Sequence, residues 1–387
     1  MSKTYDIAVV GAGPAGSSVA IRLAMAGLRV ALLEKATFPR PKLCGEFISP
    51  ECLWHFDELG ADISTHSGGM AIDQTVFYAR SGRSIAVESD WFGVGEVAIG
   101  LSRAEMDVRL MQRAREVGVD VIENASVAAA VIENGRVVGI GFGKNEMVKA
   151  RILVDATGRN RILTKHLDDQ KPEKASHVAF KAHLRDARID SGACEIFAYS
   201  GGYGGCNAVE DGWFNLCFIA SAADVRGLGS DPERVMKEIV FRNKRARAVL
   251  ENASVASEWL AVPITRFGSG RLVPAEGLLT VGDAASFIDP FTGSGILMAL
   301  ESSKLAAAAV VENFDRSFDA IARQYDRSYS TMFDKRLGIA GLVRRVAFNP
   351  SLAGATISLL SVSTLLTRGL ARATRGEQKV DSLRATD

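Results

Sequence analysis

The sequence is poor in the residues that bind metal ions or build disulfides, with five cysteines and five histidines among 387 residues. The cysteines, at positions 44, 52, 194, 206 and 217, are odd in number and widely spaced. They form no CxxC pair, and no histidine stands near them at zinc-ligand spacing. We therefore expect no metal site, no disulfide framework and a reduced, cytoplasmic protein.

An excess of one charge and long apolar runs are also lacking. Forty-six Lys and Arg stand against 45 Asp and Glu, a formal net charge of +1, so the bulk composition does not suggest a nucleic-acid-binding protein. No uninterrupted apolar segment reaches the length of a membrane span. The short N-terminal apolar run leads into a glycine-rich turn, which indicates a first strand and not a signal peptide. A soluble globular protein of two or three domains is expected.

A β-α-β unit stands at the N-terminus. Residues 5–10 form an apolar run typical of a buried parallel strand, and GAGPAG follows at 11–16. A helix that ends at Gly27 comes next, and a second strand at 28–34 ends with the acidic Glu34. In a unit of about 30 residues, this pattern is typical of dinucleotide binding.

Each glycine of the turn has a physical role in such a site. Gly11 allows the tight turn, Gly13 lets the backbone approach a pyrophosphate, and Gly16 lets the helix pack close to the strand. The helix N-terminus supplies amide hydrogens and the positive end of a dipole. Glu34 can accept hydrogen bonds from ribose hydroxyls and would repel a 2′-phosphate, so the site suits the adenosine half of FAD or NAD rather than NADP.

The rest of the chain mixes helix and strand signals. A helix is expected after an N-cap at Ser102, followed by four short strands. The region from about residue 176 to about residue 270 favours a mainly antiparallel sheet, with a hairpin turn at 210–212. A strand, Asp283, a loop rich in Gly and Pro, and a long helix follow at 277–310.

Four motifs in this order connect the chain to a known group of enzymes: GAGPAG with Glu34, RAEMD at 103–107, VDATGRN at 154–160 and GDAA at 282–285. They resemble the FAD-dependent oxidoreductases that include aromatic hydroxylases (group A monooxygenases), flavin-dependent halogenases and geranylgeranyl reductases. The resemblance implies an α/β fold: a Rossmann-like FAD-binding domain of the glutathione reductase type, an inserted antiparallel β-sheet substrate domain, and C-terminal helices.

The implied domains are interleaved, because Gly11 and Asp283 belong to one FAD site but lie far apart in sequence. We expect a composite FAD-binding domain from residues 1–75, 97–165 and 271–335. Residues 76–96 and 166–270 would form the substrate-binding sheet domain, and 336–387 a C-terminal helical segment.

The resemblance also implies roles for individual residues. Arg103 would contact the phosphate or ribitol region of FAD, Asp283 would hydrogen-bond a ribitol hydroxyl, and the loop 290–295 would present backbone amides to the flavin and pyrophosphate. The residues expected at FAD are Gly11, Gly13, Pro14, Ala15, Gly16, Glu34, Lys35, Arg40, Cys44, Gly45, Arg103, Asp155, Gly158, Gly282, Asp283, Pro290, Gly293, Gly295 and Ile296.

The segment PRPKLCGEFISP, residues 39–50, carries the candidate catalytic residues Lys42 and Cys44. In similar enzymes this segment runs beside the adenine and then over the flavin. Arg40 and Lys42 would then offset pyrophosphate charge, while residues 44–46 approach the isoalloxazine. The alternatives are that Cys44 is a small buried packing residue and that Lys42 is a solvated surface charge.

The resemblance favours a monooxygenase in which reduced FAD captures oxygen as a flavin hydroperoxide and hydroxylates a hydrophobic aromatic or polyketide-like molecule. The first alternative is a geranylgeranyl-reductase-like enzyme that reduces C=C bonds of a prenyl or lipid-like substrate, and a second is a halogenase-like two-component flavoenzyme. Flavin-free carriers of prenylated proteins are a further class, which the intact glycines and Asp283 disfavour.

The chain departs from each subgroup. The halogenase tryptophan motif is absent, Ser286 stands where aromatic hydroxylases usually place a histidine, and the tyrosine and tryptophan pattern of geranylgeranyl reductases is not found. The substrate class therefore stays open. Since one dinucleotide fingerprint is present and FAD would occupy it, electrons would come from visiting NADH or NADPH, or from a separate flavin reductase or ferredoxin.

Two further features await a role. His177 and His183 are predicted to lie on one face of a strand, where each is either a structural side chain or an active-site base.

From Lys335 to Arg375 there are seven basic residues and no acidic one, interleaved with apolar runs. This composition fits basic amphipathic helices that rest on a membrane surface or grip an acidic partner, or helices that cap a domain and shield the substrate entrance.

Overall fold

The structure, a computed structural model, describes residues 3–92, 96–143, 146–164, 167, 174–265, 268–287, 293–347, 356–357, 360 and 363–375. Its α-helices are α1 Pro14–Met25, α2 Glu51–Leu59, α3 Arg103–Glu116, α4 Ala222–Gly227, α5 Pro232–Glu238, α6 Lys244–Leu250, α7 Gly295–Asn313, α8 Phe318–Ala347 and α9 Thr364–Arg375. Its strands are β1 Lys3–Val10, β2 Val30–Leu33, β3 Phe47–Ile48, β4 Met70–Ile72, β5 Gln74–Tyr78, β6 Ser84–Glu88, β7 Ala98–Gly100, β8 Asp120–Ile122, β9 Val127–Glu133, β10 Arg136–Phe142, β11 Glu146–Asp155, β12 His177–Arg185, β13 Ala193–Tyr199, β14 Gly202–Ala208, β15 Phe214–Ser221, β16 Ser254–Val255, β17 Leu260–Ile264, β18 Gly268–Ser269, β19 Leu278–Thr280 and β20 Ser286–Phe287.

The first sheet has the order β8-β2-β1-β11-β10-β9, with β19 beside β11. Strands β8, β2, β1, β11 and β19 run parallel, and β10 and β9 extend the sheet in antiparallel fashion. Parallel strands are buried on both faces, which explains why all four residues of β2 are apolar and buried. The carboxyl ends of β1, β2, β11 and β19 therefore share one edge.

Each face of the first sheet packs into its own core. Ile7 and Val9 of β1 join the cluster that α1, α3, α7 and α8 cover, whereas Ala8 and Val10 pack with β10 residues such as Ile140 on the opposite face. Full burial of an Ile or Val side chain contributes about 1.5–3 kcal/mol, so this alternation fixes the strand register.

The second sheet has the order β16-β12-β15-β14-β13-β5-β6, with β17 also paired to β12. All of its pairs are antiparallel except β13 with β5. The hairpin predicted at 210–212 joins β14 to β15. A small sheet, β3-β7-β4, was not predicted. The predicted fold class, with a Rossmann-like domain, an antiparallel sheet and C-terminal helices, is confirmed.

The strands show how the chain interleaves. The β5-β6 hairpin joins the second sheet long before β12 begins, and the predicted limit at residue 75 falls inside β5. The exact domain limits stay a prediction. Within the ranges that the structure describes, no helix has both the length and the apolar character needed to span a membrane.

Candidate active site

The turn between β1 and α1 is shaped by three glycines. Gly11 has a left-handed φ of 100°, and a Cβ there would stand 2.5 Å from the carbonyl oxygen of Ala156. A Cβ on Gly16 would stand 1.8 Å from the carbonyl oxygen of Gly11, so both positions need glycine for packing within the chain. At Gly13 the backbone φ is −80°, and a Cβ would come no closer than 3.5 Å to Arg103 Nη2.

The N-terminus of α1 has the features of an anion-binding site. Pro14 occupies the first turn, and the N-cap Gly13 has no side chain to cap the amides of Ala15 and Gly16. Uncapped amides at the positive end of a helix dipole attract a phosphate. The turn therefore fits a pyrophosphate.

Glu34 follows β2 at the same edge of the first sheet and is 5% exposed. Its carboxylate accepts hydrogen bonds from the amide of Ala12 at 2.9 Å, from the amide of Ala36 at 3.2 Å and from Arg40 Nη2 at 3.3 Å. Lys35 beside it is exposed. Glu34 thus holds the glycine turn in place, and its contact with a ribose stays a prediction.

A buried ion-pair network lies opposite Gly13. Arg103 begins α3, and its guanidinium donates hydrogen bonds of 2.9 and 2.8 Å to the carboxylate of Asp107, which is fully buried. Arg40 Nη1 lies 3.6 Å from the same carboxylate. Arg103 also contacts the side chain of Cys44. Its positive charge is therefore fixed between the glycine turn and the segment that carries the thiol.

Lys42 and Asp283 lie close enough for their charges to interact. Desolvation, followed by the positive charge of four neighbours led by Arg103, lowers the pKa of Lys42 to about 8. The Lys42 side chain nevertheless remains exposed to solvent. Burial raises the pKa of Asp283, although Arg103, Arg159 and Lys42 oppose this shift. Among the described residues, no hydrogen-bond donor reaches the Asp283 carboxylate, so it is available to a ligand hydroxyl.

The Cys44 segment is tied to the second sheet. Asn215 of β15 donates a hydrogen bond of 3.1 Å to the carbonyl oxygen of Cys44, and Asn207 of β14 donates one of 3.3 Å to that of Glu46. The half-buried Cys44 sulfur accepts a hydrogen bond of 3.4 Å from the amide of Glu46. The thiol is therefore held at the boundary between the nucleotide turn and the second sheet.

Glu46 forms a buried cluster that sequence reasoning did not foresee. Its carboxylate lies 2.6 Å from Lys181 Nζ and 2.6 Å from His183 Nε2, and it accepts a hydrogen bond of 2.9 Å from the amide of Arg103. Glu46 was expected to approach the isoalloxazine, but its carboxylate is engaged by β12. The missed signal was Lys181, a cation between apolar residues in the middle of β12. A buried lysine needs a partner of opposite charge.

The two histidines have separate environments. His183 also packs against the ring of Trp213, with ring centroids 5.2 Å apart. His177 lies at the other end of β12, where its Nδ1 is 2.9 Å from Ser176 Oγ. His183 is thus a partner of Glu46, and His177 lies outside this cluster.

An apolar wall stands beside the Cys44 segment. Tyr203, Ile219 and Ile264 of the second sheet pack with Leu43 and Phe287. Next to Phe287, a cavity of about 380 Å³ is lined by side chains that include Arg159 and Asp283. Tyr203, Ile219 and Ile264 are buried, whereas Leu43 and Phe287 are half-buried. Tyr199 of β13 fills the core, where its hydroxyl donates a hydrogen bond of 3.1 Å to the carbonyl oxygen of Ile219.

The remaining predicted FAD residues are distributed around the same edge. The Asp155 carboxylate accepts hydrogen bonds from the amides of Thr157 and Leu163, so it organises the turn that contains Gly158. Gly282 has a φ of 59° and packs against Ala15 of α1. Four described positions remain: Gly45 follows Cys44, Gly293 precedes α7, and Gly295 and Ile296 begin α7. Pro290 lies outside the described residues.

These residues fit FAD on observations within the chain. The uncapped N-terminus of α1 suits a pyrophosphate. Packing within the chain would tolerate a side chain at Gly13, so the open space there is free for a ligand. The Asp283 carboxylate has no hydrogen-bond donor among the described residues. Bound there, FAD would supply redox chemistry next to Cys44 and the apolar wall.

Comparison with known proteins agrees with this arrangement. A model described as "FAD binding domain" matches residues 4–310. Digeranylgeranylglycerophospholipid reductase 1 of Methanococcoides burtonii is 28% identical over 363 residues, which cover 91% of this chain and 86% of that protein. Digeranylgeranylglycerophospholipid reductase 2 of Methanopyrus kandleri is 30% identical over 347 residues, with 84% and 82% covered.

The fold is shared with the flavin-dependent brominase Bmp2, which superposes with a TM-score of 0.82 at 20% identity, covering 96% of this chain and 93% of that one. At this identity the similarity concerns the fold alone. The resemblance drawn from the sequence motifs is confirmed, and the chain belongs to the FAD binding domain family of FAD-dependent oxidoreductases.

Proposed function

We propose that this oxidoreductase reduces C=C double bonds in an isoprenoid or similarly lipid-like chain. The observation that carries the proposal is the position of the Cys44 thiol, which lies between the FAD edge of the first sheet and the apolar wall. Relatives named as reductases of digeranylgeranylglycerophospholipid match most of the chain, which supports this reaction over the hydroxylation favoured in the sequence analysis.

Reduction of an alkene adds one hydride and one proton. Bound reduced FAD would supply the hydride. The Cys44 S–H would supply the proton to the adjacent carbon, which would leave a thiolate that solvent reprotonates. The Arg103 guanidinium contacts the sulfur and would place a positive charge beside it during this step.

Substrate binding rests on the apolar wall. Leu43, Tyr203 and Phe287 would contact the hydrocarbon chain. These side chains pack against a hydrocarbon without leaving buried polar groups unpaired. A hydrocarbon chain buries most of its area in such a site, and each buried methylene contributes about 0.8 kcal/mol.

The electron source is a separate part of the proposal. NADH or NADPH would visit the flavin transiently, or a flavin reductase or ferredoxin would deliver electrons. The free cysteines among the described residues fit a reducing, cytoplasmic setting for either route.

An anaerobic assay tests the reaction. The FAD-loaded protein is reduced with dithionite and mixed with digeranylgeranylglycerophospholipid, and products are analysed by mass spectrometry. We expect the gain of two hydrogen atoms per reduced bond in the absence of oxygen. A product that contains oxygen and forms only in air would instead establish the monooxygenase, and a halogenated product formed with halide and air would establish the halogenase.

A Cys44→Ala variant tests the thiol. We expect FAD binding to persist and turnover to fall on the order of 100-fold, as for loss of a general acid. Cys217→Ala is the matched control, because that thiol lies near Cys44 and burial raises its pKa to about 12. Full activity of Cys44→Ala would remove the thiol from the mechanism while leaving the C=C reduction in place.

A further inference from the structure

The outward face of α9 is apolar. Leu365, Leu366 and Leu370 are 83%, 58% and 40% exposed. With about 3.6 residues per turn, they fall within an arc of about 140°. Thr367, which lies outside this arc, is buried, and its Oγ1 lies 3.0 Å from the carbonyl oxygen of Leu360 and 3.1 Å from that of Ser363. The helix contacts α8 and β6, and its three leucines face solvent.

Positive charge borders this apolar arc. Arg368 and Arg372 are exposed on one side of it, and Arg372 Nε donates a hydrogen bond of 3.1 Å to the carbonyl oxygen of Trp91. That bond ties α9 to the segment that follows β6. The helix contains no Asp or Glu, and neither does the rest of the sequence from Lys335 to Arg375.

We propose that α9 seats the protein on an anionic lipid surface, with its leucines in the acyl boundary and its arginines at the headgroups. An apolar arc bordered on one side by arginines matches such a surface, since arginine side chains extend from the apolar region to the charged headgroups. A second copy of the chain fits less well. A two-fold contact would bring the arginines of both helices together, and three leucines cover far less than the roughly 800 Å² per partner of a stable interface.

This inference does not depend on the reaction catalysed. Membrane binding and turnover are measured separately, so either can fail without the other. A protein bound at a lipid surface would nevertheless have direct access to a lipid-like substrate.

Vesicle sedimentation tests the proposal with the full chain. At low salt we expect the protein to sediment with phosphatidylcholine vesicles that contain phosphatidylglycerol, and to remain in solution with phosphatidylcholine alone. Each arginine near the surface is worth about fivefold in partitioning, so R368Q/R372Q should weaken binding on the order of 25-fold. The triple variant L365S/L366S/L370S should lose on the order of 100-fold.

The matched control replaces three apolar side chains elsewhere, as I132S/M147S/V311S. Those residues are 45%, 39% and 45% exposed, and we expect unchanged vesicle binding. Retained FAD absorbance shows that each variant folds. Absence of wild-type binding at low salt, or equal binding by the α9 leucine variant, overturns the proposal. A dimer in sedimentation velocity that the leucine variant dissociates, with no vesicle binding, assigns the face to a second copy.

Discussion

Glu46 is a buried anion held between two cations, and the conformation of the Cys44 segment depends on it. Its backbone adopts a left-handed φ of 52°, which costs a non-glycine residue about 1–2 kcal/mol. Lys181 and His183 offset that cost, since each lies 2.6 Å from one carboxylate oxygen. Burial acts to raise the pKa of Glu46, but His183 and Lys181 outweigh burial and lower it.

Glu46→Gln should therefore destabilise the fold. The variant leaves Lys181 without its anion, and removal of one partner of a buried pair costs about 3 kcal/mol or more. Denaturant unfolding measures the loss. The control is Asp319→Asn, which breaks the exposed ion pair with Arg323 and should change stability by less than about 1 kcal/mol. Equal stability of Glu46→Gln and the wild type would show that the cluster contributes nothing.

The same cluster predicts a pH dependence. Because the folded-state pKa of Glu46 is lowered, its stabilising contribution is complete above the ordinary glutamate pKa of about 4.3. That contribution is lost as the pH falls through the folded-state pKa. The stability difference between the wild type and Glu46→Gln should therefore shrink in acid. A difference that stays constant into strong acid would contradict this.

Lys42 should make FAD binding sensitive to alkaline pH. Its pKa of about 8 means that the free protein loses this charge as the pH rises through that value. Phosphate groups favour the charged lysine, so FAD affinity should fall above pH 8. Lys42→Arg keeps its charge and should remove this fall, whereas Lys42→Met should bind weakly at every pH. Fluorescence titration of FAD measures all three proteins, and a wild-type affinity independent of pH would place Lys42 away from the phosphates.

At the scale of elements, two glycines of the turn before α1 have different roles: Gly16 is needed for packing, and Gly13 for ligand binding. Gly16→Ala would push a Cβ into the Gly11 carbonyl at 1.8 Å, so we expect loss of folding or strong destabilisation. Gly13→Ala meets no such contact and should fold normally. Its methyl would instead occupy the space that a pyrophosphate needs, which should weaken FAD binding at least tenfold. Thermal unfolding of the apoprotein and FAD titration distinguish the two effects, and normal FAD affinity in Gly13→Ala would reject the proposed phosphate position.

Strand β12 shows how far an element can be inferred from its pattern. Alternation along HVAFKAH correctly placed His177 and His183 on one face, and Phe180 lies in the core on the other face. The pattern gave no partner for Lys181, since Glu46 is 135 residues away in sequence. Periodicity fixes which face a side chain occupies, whereas its contacts depend on how the two sheets are docked.

At the scale of the whole molecule, the candidate FAD site joins distant segments of the chain. The turn at Gly11–Gly16, Arg103 and Asp283 lie together, so FAD should stabilise the protein as a unit. At a concentration of 100 times its dissociation constant, FAD adds about 2.7 kcal/mol and should raise Tm by a few degrees. ADP at the same concentration fills only one end of the site and should give a smaller shift. Equal shifts from ADP and FAD would show that the flavin half is not held.

The sequence by itself determined the β-α-β unit, the FAD motifs and the antiparallel second sheet, because glycine geometry and hydrophobic periodicity are local properties. It also singled out Arg103, Asp283 and the segment around Cys44 as candidates, whose roles at FAD stay a prediction. Only the tertiary structure decided that Glu46 turns to Lys181 and His183, that Asn207 and Asn215 anchor the Cys44 segment, and that α9 exposes its leucines. Those contacts depend on which surfaces pack together in three dimensions, and the spacing of residues along the chain does not specify that packing.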